Sequence, residues 1–184
     1  MGKVFVVGIT GASGIVYGRR IVEEIVKSAE VRLIVSGTAR EIGRHEGVDL
    51  DTLRATWERN EDLAALVSSG SFRHDGMVIA PCSMKTLAGI AHGYAETLVG
   101  RAADVTLKER RRCILLAREM PLSRIHLANM LAAHDAGATV MVASPAFYHR
   151  PRTIDQLVDM VVARVLDHLE IPHDLPVRWR GYDA

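Results

Sequence analysis

The chain has 184 residues, 48% of them hydrophobic and 24% charged, and a formal net charge of +1. This is ample apolar material for one ordinary-sized domain, and the near-neutral balance gives no electrostatic reason to expect nucleic acid or an anionic membrane as partner. Its two cysteines, Cys82 and Cys113, lie far apart in apolar runs, which argues against a disulfide scaffold or zinc site and for buried thiols in a reducing compartment.

The opening Met1-Gly2-Lys3-Val4-Phe5-Val6 is unlike a signal peptide, because its apolar run stops at a turn within a few residues. No apolar stretch is long enough to span a bilayer, so a cytoplasmic protein is expected. The first β-branched run, Val4 to Ile9, leads through a glycine turn into a helix predicted over Gly14 to Ser28. A strand at Val31–Val35 follows, then a helix beginning near Thr38. After an irregular, charged stretch come a strand at Met77–Ala80, a turn at Pro81-Cys82-Ser83 and a helix towards Gly93. A helix over Leu98–Lys108 precedes a strand at Cys113–Ala117 and a helix starting near Pro121. The last strand is Thr139–Ala143 and the last helix about Ile154–Leu169.

Near-continuous apolar strands alternating with helices predict a single α/β domain over residues 1–184. Its sheet should be doubly wound, mostly parallel and five- to six-stranded, in a Rossmann- or flavodoxin-like three-layer sandwich. In the order 2-1-3-4-5, strands one and three are neighbours, and ligands bind in the crevice at their carboxyl ends. The two most unusual turns follow those two strands. The first, Gly8-Ile9-Thr10-Gly11-Ala12-Ser13-Gly14, offers tight backbone turning, hydroxyl donors on Thr10 and Ser13, and free N–H groups at the helix start for an anion. It is not Gly-x-Gly-x-x-Gly, and Ser36 rather than an acid ends the second strand, so a dinucleotide is disfavoured. The second, Pro81-Cys82-Ser83-Met84-Lys85-Thr86, puts Ser83 and Thr86 at another helix N-terminus. Ser83 and Ser36 read equally well as simple helix caps.

Arg118-Glu119 follows the fourth strand on the same carboxyl edge, and Ser144-Pro145-Ala146-Phe147-Tyr148-His149-Arg150-Pro151 follows the fifth, its prolines restricting the backbone around Tyr148. Arg101, Lys108 and Arg164 are further candidate cations, while most of the run Lys108 to Arg112 reads as solvated or subunit-facing surface. The eight histidines show no metal spacing, with His126 and His134 structural or exposed, and no metal is expected. Gly-x-Ser-x-Gly is absent, so a serine hydrolase is poorly supported.

Taken together, Gly8 to Gly14, Pro-Cys-Ser-Met-Lys-Thr-Leu-Ala-Gly-Ile-Ala (Pro81 to Ala91), Arg-Ala-Ala-Asp-Val-x-Leu-Lys-Glu-Arg-Arg (Arg101 to Arg111), Arg-Glu-x-Pro-Leu (Arg118 to Leu122) and Pro-Ala-Phe-Tyr (Pro145 to Tyr148) resemble the flavin prenyltransferase family of the UbiX type. The likeness runs from Lys3 to about Trp179. It implies reduced FMN as the bound prenyl acceptor and dimethylallyl monophosphate as donor, giving prenylated FMN and phosphate without a metal. It matches Gly11, Ala12, Ser13, Ser36, Ser83, Met84, Lys85, Thr86 and Arg118 to flavin binding, with Arg101 serving either ligand. It matches Glu46, Lys108, Arg118, Glu119, Tyr148 and Arg164 to gripping the prenyl phosphate or moving protons, with Glu46, Lys108, Glu119 and Tyr148 as the catalytic set and Lys108, Arg118, Tyr148 and Arg164 as the donor-binding set. Trp179 is expected to pack over the site or a neighbouring subunit. The Gly37-Thr38 pair after Ser36 departs from the family's bulkier, alanine-rich stretch. The resemblance also implies a homo-oligomer, with a dodecamer as one option, sites near interfaces, and a UbiD-type decarboxylase that uses the product. Two other readings stay open: an FMN-dependent decarboxylase of a cysteine-type carboxylate, and a non-catalytic FMN carrier subunit. The first would carry an Asn in the turn where this chain has Cys82-Ser83-Met84.

Overall fold

The computed structural model describes residues 2–175 and 181. Six strands form one sheet: β1 (Val4–Ile9), β2 (Glu30–Val35), β3 (Thr56–Glu58), β4 (Gly76–Cys82), β5 (Cys113–Ala117) and β6 (Thr139–Val142). Their order is β3-β2-β1-β4-β5-β6, and every neighbouring pair is parallel. The helices are α1 (Ile15–Ile25), α2 (Gly37–Glu46), α3 (Met84–Ala91), α4 (Leu98–Lys108), α5 (Arg124–Asp135) and α6 (Ile154–Leu169).

Because side chains alternate across a strand, each central strand feeds two cores. Phe5, Val7 and Ile9 of β1 join Val78 and Ala80 of β4 and Ile114 and Leu116 of β5 beneath α1 and α6. Val6, Met77, Ile79, Cys113 and Leu115 point the other way, into the core covered by α3 and α4. Two glycines let helices close on the sheet. A Cβ on Gly8 would sit 2.6 Å from Val99 of α4, and one on Gly18 of α1 would run into the Ala80 carbonyl of β4.

Several sequence expectations are corrected. The sixth strand comes from the irregular stretch: β3 is only Thr56-Trp57-Glu58 at the sheet edge, too short to show a period. Gly14 does not belong to α1 but caps it with φ 95°, a left-handed conformation suited to glycine. The helix expected near Pro121 begins at Arg124, where the Ser123 side chain accepts the His126 N–H and the His126 ring in turn accepts the Ser123 N–H in a capping box. The run Lys108 to Arg112 is exposed as expected except at Arg111, whose guanidinium donates to the carbonyls of Phe72 at 2.7 Å and Gly70 at 2.8 Å. Trp179 lies outside the described residues.

Candidate functional site

The turns after β2, β1 and β4 lie side by side, since those strands are adjacent in the sheet. Each leads into a helix, so three positive helix ends share one rim. The turns after β1 and β4 are fastened to each other by Thr10. Its hydroxyl donates to the Pro81 carbonyl at 2.9 Å and accepts the Ser83 N–H at 2.9 Å, and its own N–H donates to the same carbonyl at 3.2 Å. Thr10 is 2% exposed. It is therefore a staple between the turns and not the ligand donor expected of it.

Ser36 and Ser83 both cap. Ser36 accepts the Ala39 N–H at 3.2 Å, and Ser83 accepts the Thr86 N–H at 3.3 Å while donating to the Thr86 hydroxyl at 3.0 Å. Met84 is buried, Lys85 exposed and Thr86 half-buried at the same helix start. Gly11 and Ala12 form the floor of the first turn, with Ser13 exposed at its tip. The Thr38 side chain lies over Gly11, where a Cβ would meet it at 2.8 Å. Thr38 of the unusual Gly37-Thr38 pair thus packs directly on the glycine turn.

The helix-start N–H groups expected to meet an anion already meet one. Gly14 N–H and Ile15 N–H donate to the two oxygens of Glu46 at 2.8 and 2.9 Å, so Glu46, the last residue of α2, acts as a remote cap on α1. Arg118 leaves the end of β5 and its Nε donates to the Ser13 carbonyl at 3.1 Å, which brings a guanidinium to the first turn. Glu119 beside it accepts its neighbour Met120's N–H at 3.0 Å. Tyr148 stands in the loop after β6, 44% exposed, with the His149 ring edge-on at 5.7 Å between centroids.

Two of the other three cations, Lys108 and Arg164, lie away from this rim within one chain. Helix α4 starts beside Asn60, whose backbone and side-chain oxygens accept the N–H groups of Leu98 and Val99, and runs down to the amino edge, where Lys108 pairs with Glu109 at 2.8 Å. Arg164 is near the lower end of α6, paired with Asp167 at 2.7 Å; that end is fixed at the amino edge by the Arg112–Glu170 ion pair. A sheet of this depth separates the two edges by roughly 15–20 Å. Arg101, one turn into α4, donates to the Ser68 carbonyl at 3.2 Å and pairs with Asp104 at 2.9 Å. One chain therefore joins Ser13, Ser36, Glu46, Ser83, Arg118 and Glu119 around a single rim, and leaves Lys108 and Arg164 on the opposite edge.

The cysteines take no part in nucleophilic chemistry at neutral pH. Burial pushes both thiols up, Cys113 to about 12, so neither is a thiolate.

A flavoprotein family model matches residues 2–166. A flavin prenyltransferase UbiX of Deinococcus radiodurans is 48% identical over 97% of this chain and 94% of its own length. The chain belongs to the UbiX-type flavin prenyltransferase family. A further member, a probable UbiX-like flavin prenyltransferase of a Streptomyces strain, is 50% identical over 97% of this chain and 92% of its own. Among solved structures of this family, AnUbiX in complex with FMN and dimethylallyl pyrophosphate has a TM-score of 0.96 at 41% identity, covering 99% of this chain and all of that one (100%). A dodecameric FMN-dependent UbiX-like decarboxylase from Escherichia coli O157:H7 has a TM-score of 0.93 at 45% identity, covering 97% and 100%.

The rim of this UbiX-type chain fits a flavin mononucleotide. Serine and threonine hydroxyls and helix-end N–H groups are the donors a phosphate ester takes. The glycine turn lets the Thr38 side chain close over Gly11, where a Cβ would meet it at 2.8 Å, and leaves Ser13 exposed at the tip. Sequence reasoning missed Thr10 as the staple and Glu46 as the cap, because their contacts join residues 31 to 73 positions apart.

Proposed function

We propose that this chain is a flavin prenyltransferase that joins the dimethylallyl group of dimethylallyl monophosphate to N5 and C6 of reduced FMN. The donor gives up its C–O bond and its C=C π bond as a C–N bond to N5 and a C–C bond to C6 form. Inorganic phosphate leaves with the electron pair of the C–O bond, the N5 and C6 protons are lost, and one proton is returned to the other alkene carbon. The observation that carries this reading is the junction of Arg118 with the Ser13 carbonyl, which sets a cation for a second phosphate beside a corner built for the first. Bound FMN supplies the nucleophilic ring and a π face for the allylic cation.

The protein's part is electrostatic and positional. Arg118, Lys108 and Arg164, with the Tyr148 hydroxyl, neutralise charge growing on the departing phosphate. Glu119, adjoining Arg118, is the base that takes the ring proton and the acid that returns one. Glu46 is engaged as the cap of α1 through both its oxygens, whereas Glu119 adjoins Arg118, which makes Glu119 the better placed for that work. Ser13, Ser36, Ser83, Met84, Lys85 and Thr86 hold the flavin, and Arg101 steadies either ligand. Since Lys108 and Arg164 sit on the far edge of their own chain, each complete site draws them from neighbouring copies in a homo-oligomer; a dodecamer, the form of one close relative, suits this. The protein works in the cytoplasm, and its product serves a UbiD-type decarboxylase.

The test is to incubate purified protein anaerobically with reduced FMN and dimethylallyl monophosphate and weigh the flavin by mass spectrometry. A gain of one prenyl unit is expected. Bound flavin of unchanged mass refutes transferase activity; carbon dioxide released from a cysteine-type carboxylate would then mark the decarboxylase alternative, and neither change a carrier.

A further inference from the structure

The stretch between β3 and β4 runs alongside α4 and is pinned at intervals to the helix and to the turn that follows it. Arg101 holds the Ser68 carbonyl at 3.2 Å. Arg111 holds the carbonyls of Gly70 and Phe72 at 2.8 and 2.7 Å with two different nitrogens. His74 closes the stretch, one ring nitrogen 3.4 Å from the Thr106 hydroxyl of α4 and the other 3.2 Å from the Gly76 carbonyl. Four fastenings over seven residues, 68–74, hold this strap against α4 and the turn after it.

At its middle the strap touches the Lys108–Glu109 pair. A Cβ on Gly70 would land on the Glu109 carboxylate and come within 3.0 Å of Lys108 Nζ. Gly70 itself does not have a positive φ, so alanine is acceptable to the backbone. What alanine would displace are the tips of two flexible side chains, which move at little cost to the fold. Glu109 is also tuned to its partner: the hydrogen bond and charge of Lys108 hold its carboxyl below the usual range.

We propose that residues 68–74 position Lys108 for its grip on the donor phosphate, with Gly70 as the point of contact and Arg111 as the fastener. The inference rests on the reading that Lys108 binds the donor. Gly70 and Arg111 are positioning residues: they touch no substrate and act through the ammonium group. The strap sets where Lys108 ends, and a bare Gly70 lets Glu109 lie against it and aim it outward.

Steady-state kinetics on four oligomeric proteins tests this: wild type, Gly70→Ala, Lys108→Ala and the double variant, with Arg111→Lys as a second probe of the strap. Gly70→Ala is expected to raise KM for dimethylallyl monophosphate about tenfold, since small misplacements of a phosphate ligand are costly. FMN affinity and Tm should stay at wild-type values. Arg111→Lys, which keeps the charge but loses the two-carbonyl fork, should shift the same constant in the same direction. In the Lys108→Ala background Gly70→Ala should change nothing further. An unchanged donor KM in Gly70→Ala, while Lys108→Ala raises it, overturns the inference and leaves the Lys108 reading intact. An undiminished Gly70→Ala effect without Lys108 overturns it as well, because the strap then acts by another route. If Lys108→Ala itself leaves donor KM unchanged, the reading of Lys108 and the inference fall together.

Discussion

Replacing Glu46 with alanine separates its role as a cap from any role in proton transfer. The carboxylate accepts two backbone N–H groups at the start of α1, Gly14 at 2.8 Å and Ile15 at 2.9 Å. Loss of a helix cap of this kind costs about 0.5–2 kcal/mol, and a charged acceptor at the positive helix end belongs in the upper part of that range when dry. Glu46 is exposed, so water takes over part of the work and about 1 kcal/mol is the figure to expect. For a chain of 184 residues that lowers Tm by about 2–4 °C. Glu46→Gln keeps one carbonyl acceptor and should lose about half as much. Calorimetry on both variants, with FMN at the same saturation so that ligand binding does not mask the difference, measures the effect. Hydrogen exchange locates it: amides at the start of α1 should exchange about fivefold faster in Glu46→Ala. Unchanged Tm and unchanged exchange at Gly14 and Ile15 would refute the capping argument. Near-complete loss of turnover with the expected modest drop in Tm would show that Glu46 has a chemical task besides.

Two further outcomes are expected. Lys108→Ala and Arg118→Ala should each keep only a small, measurable fraction of wild-type turnover, and oligomers assembled from a mixture of the two should recover part of the rest, because some sites then take Arg118 from one copy and Lys108 from another; a mixture no more active than its components would place both groups in one chain's site. Burial, then the Arg111 charge, lower the His74 pKa from 6.5, against weaker opposing pulls from the Gly76 carbonyl and Asp75, with the Thr106 hydroxyl and the Phe72 ring also facing it. A histidine that protonates less readily folded than unfolded stabilises above the unfolded pKa of about 6.5 and loses that contribution as pH falls through the folded value. The Tm gap between wild type and His74→Gln should therefore narrow between about pH 7.5 and about pH 5; a constant gap would contradict the assigned shift.

The apolar periodicity was sufficient to locate the central elements: α4, β5 and α6 have the bounds that pattern implies. Strand β3 was invisible because Thr56-Trp57-Glu58 carries no run to detect. At the rim, the turn residues were legible but their orientation was not. Thr10 points inward because its partners lie 71 and 73 residues away on β4 and just beyond it, and nothing local signals that. The edge on which Lys108 lies could have been deduced from topology alone. A helix that leads into a parallel strand must finish at that strand's amino end, so the end of α4 is across the sheet from the turns. Motif resemblance groups residues by shared duty, and here it grouped residues that one chain holds on opposite edges of its sheet.

The staple at Thr10 has a consequence for how this enzyme could change over time or by design. One buried hydroxyl is at once donor to the segment closing β4 and acceptor for the helix that follows it, so the two flavin-side corners are mechanically a single block and cannot drift apart to admit a bulkier guest. On the proposed reading, new donor preferences would therefore arise at the periphery, in the tyrosine-bearing loop or where an adjoining copy meets the rim.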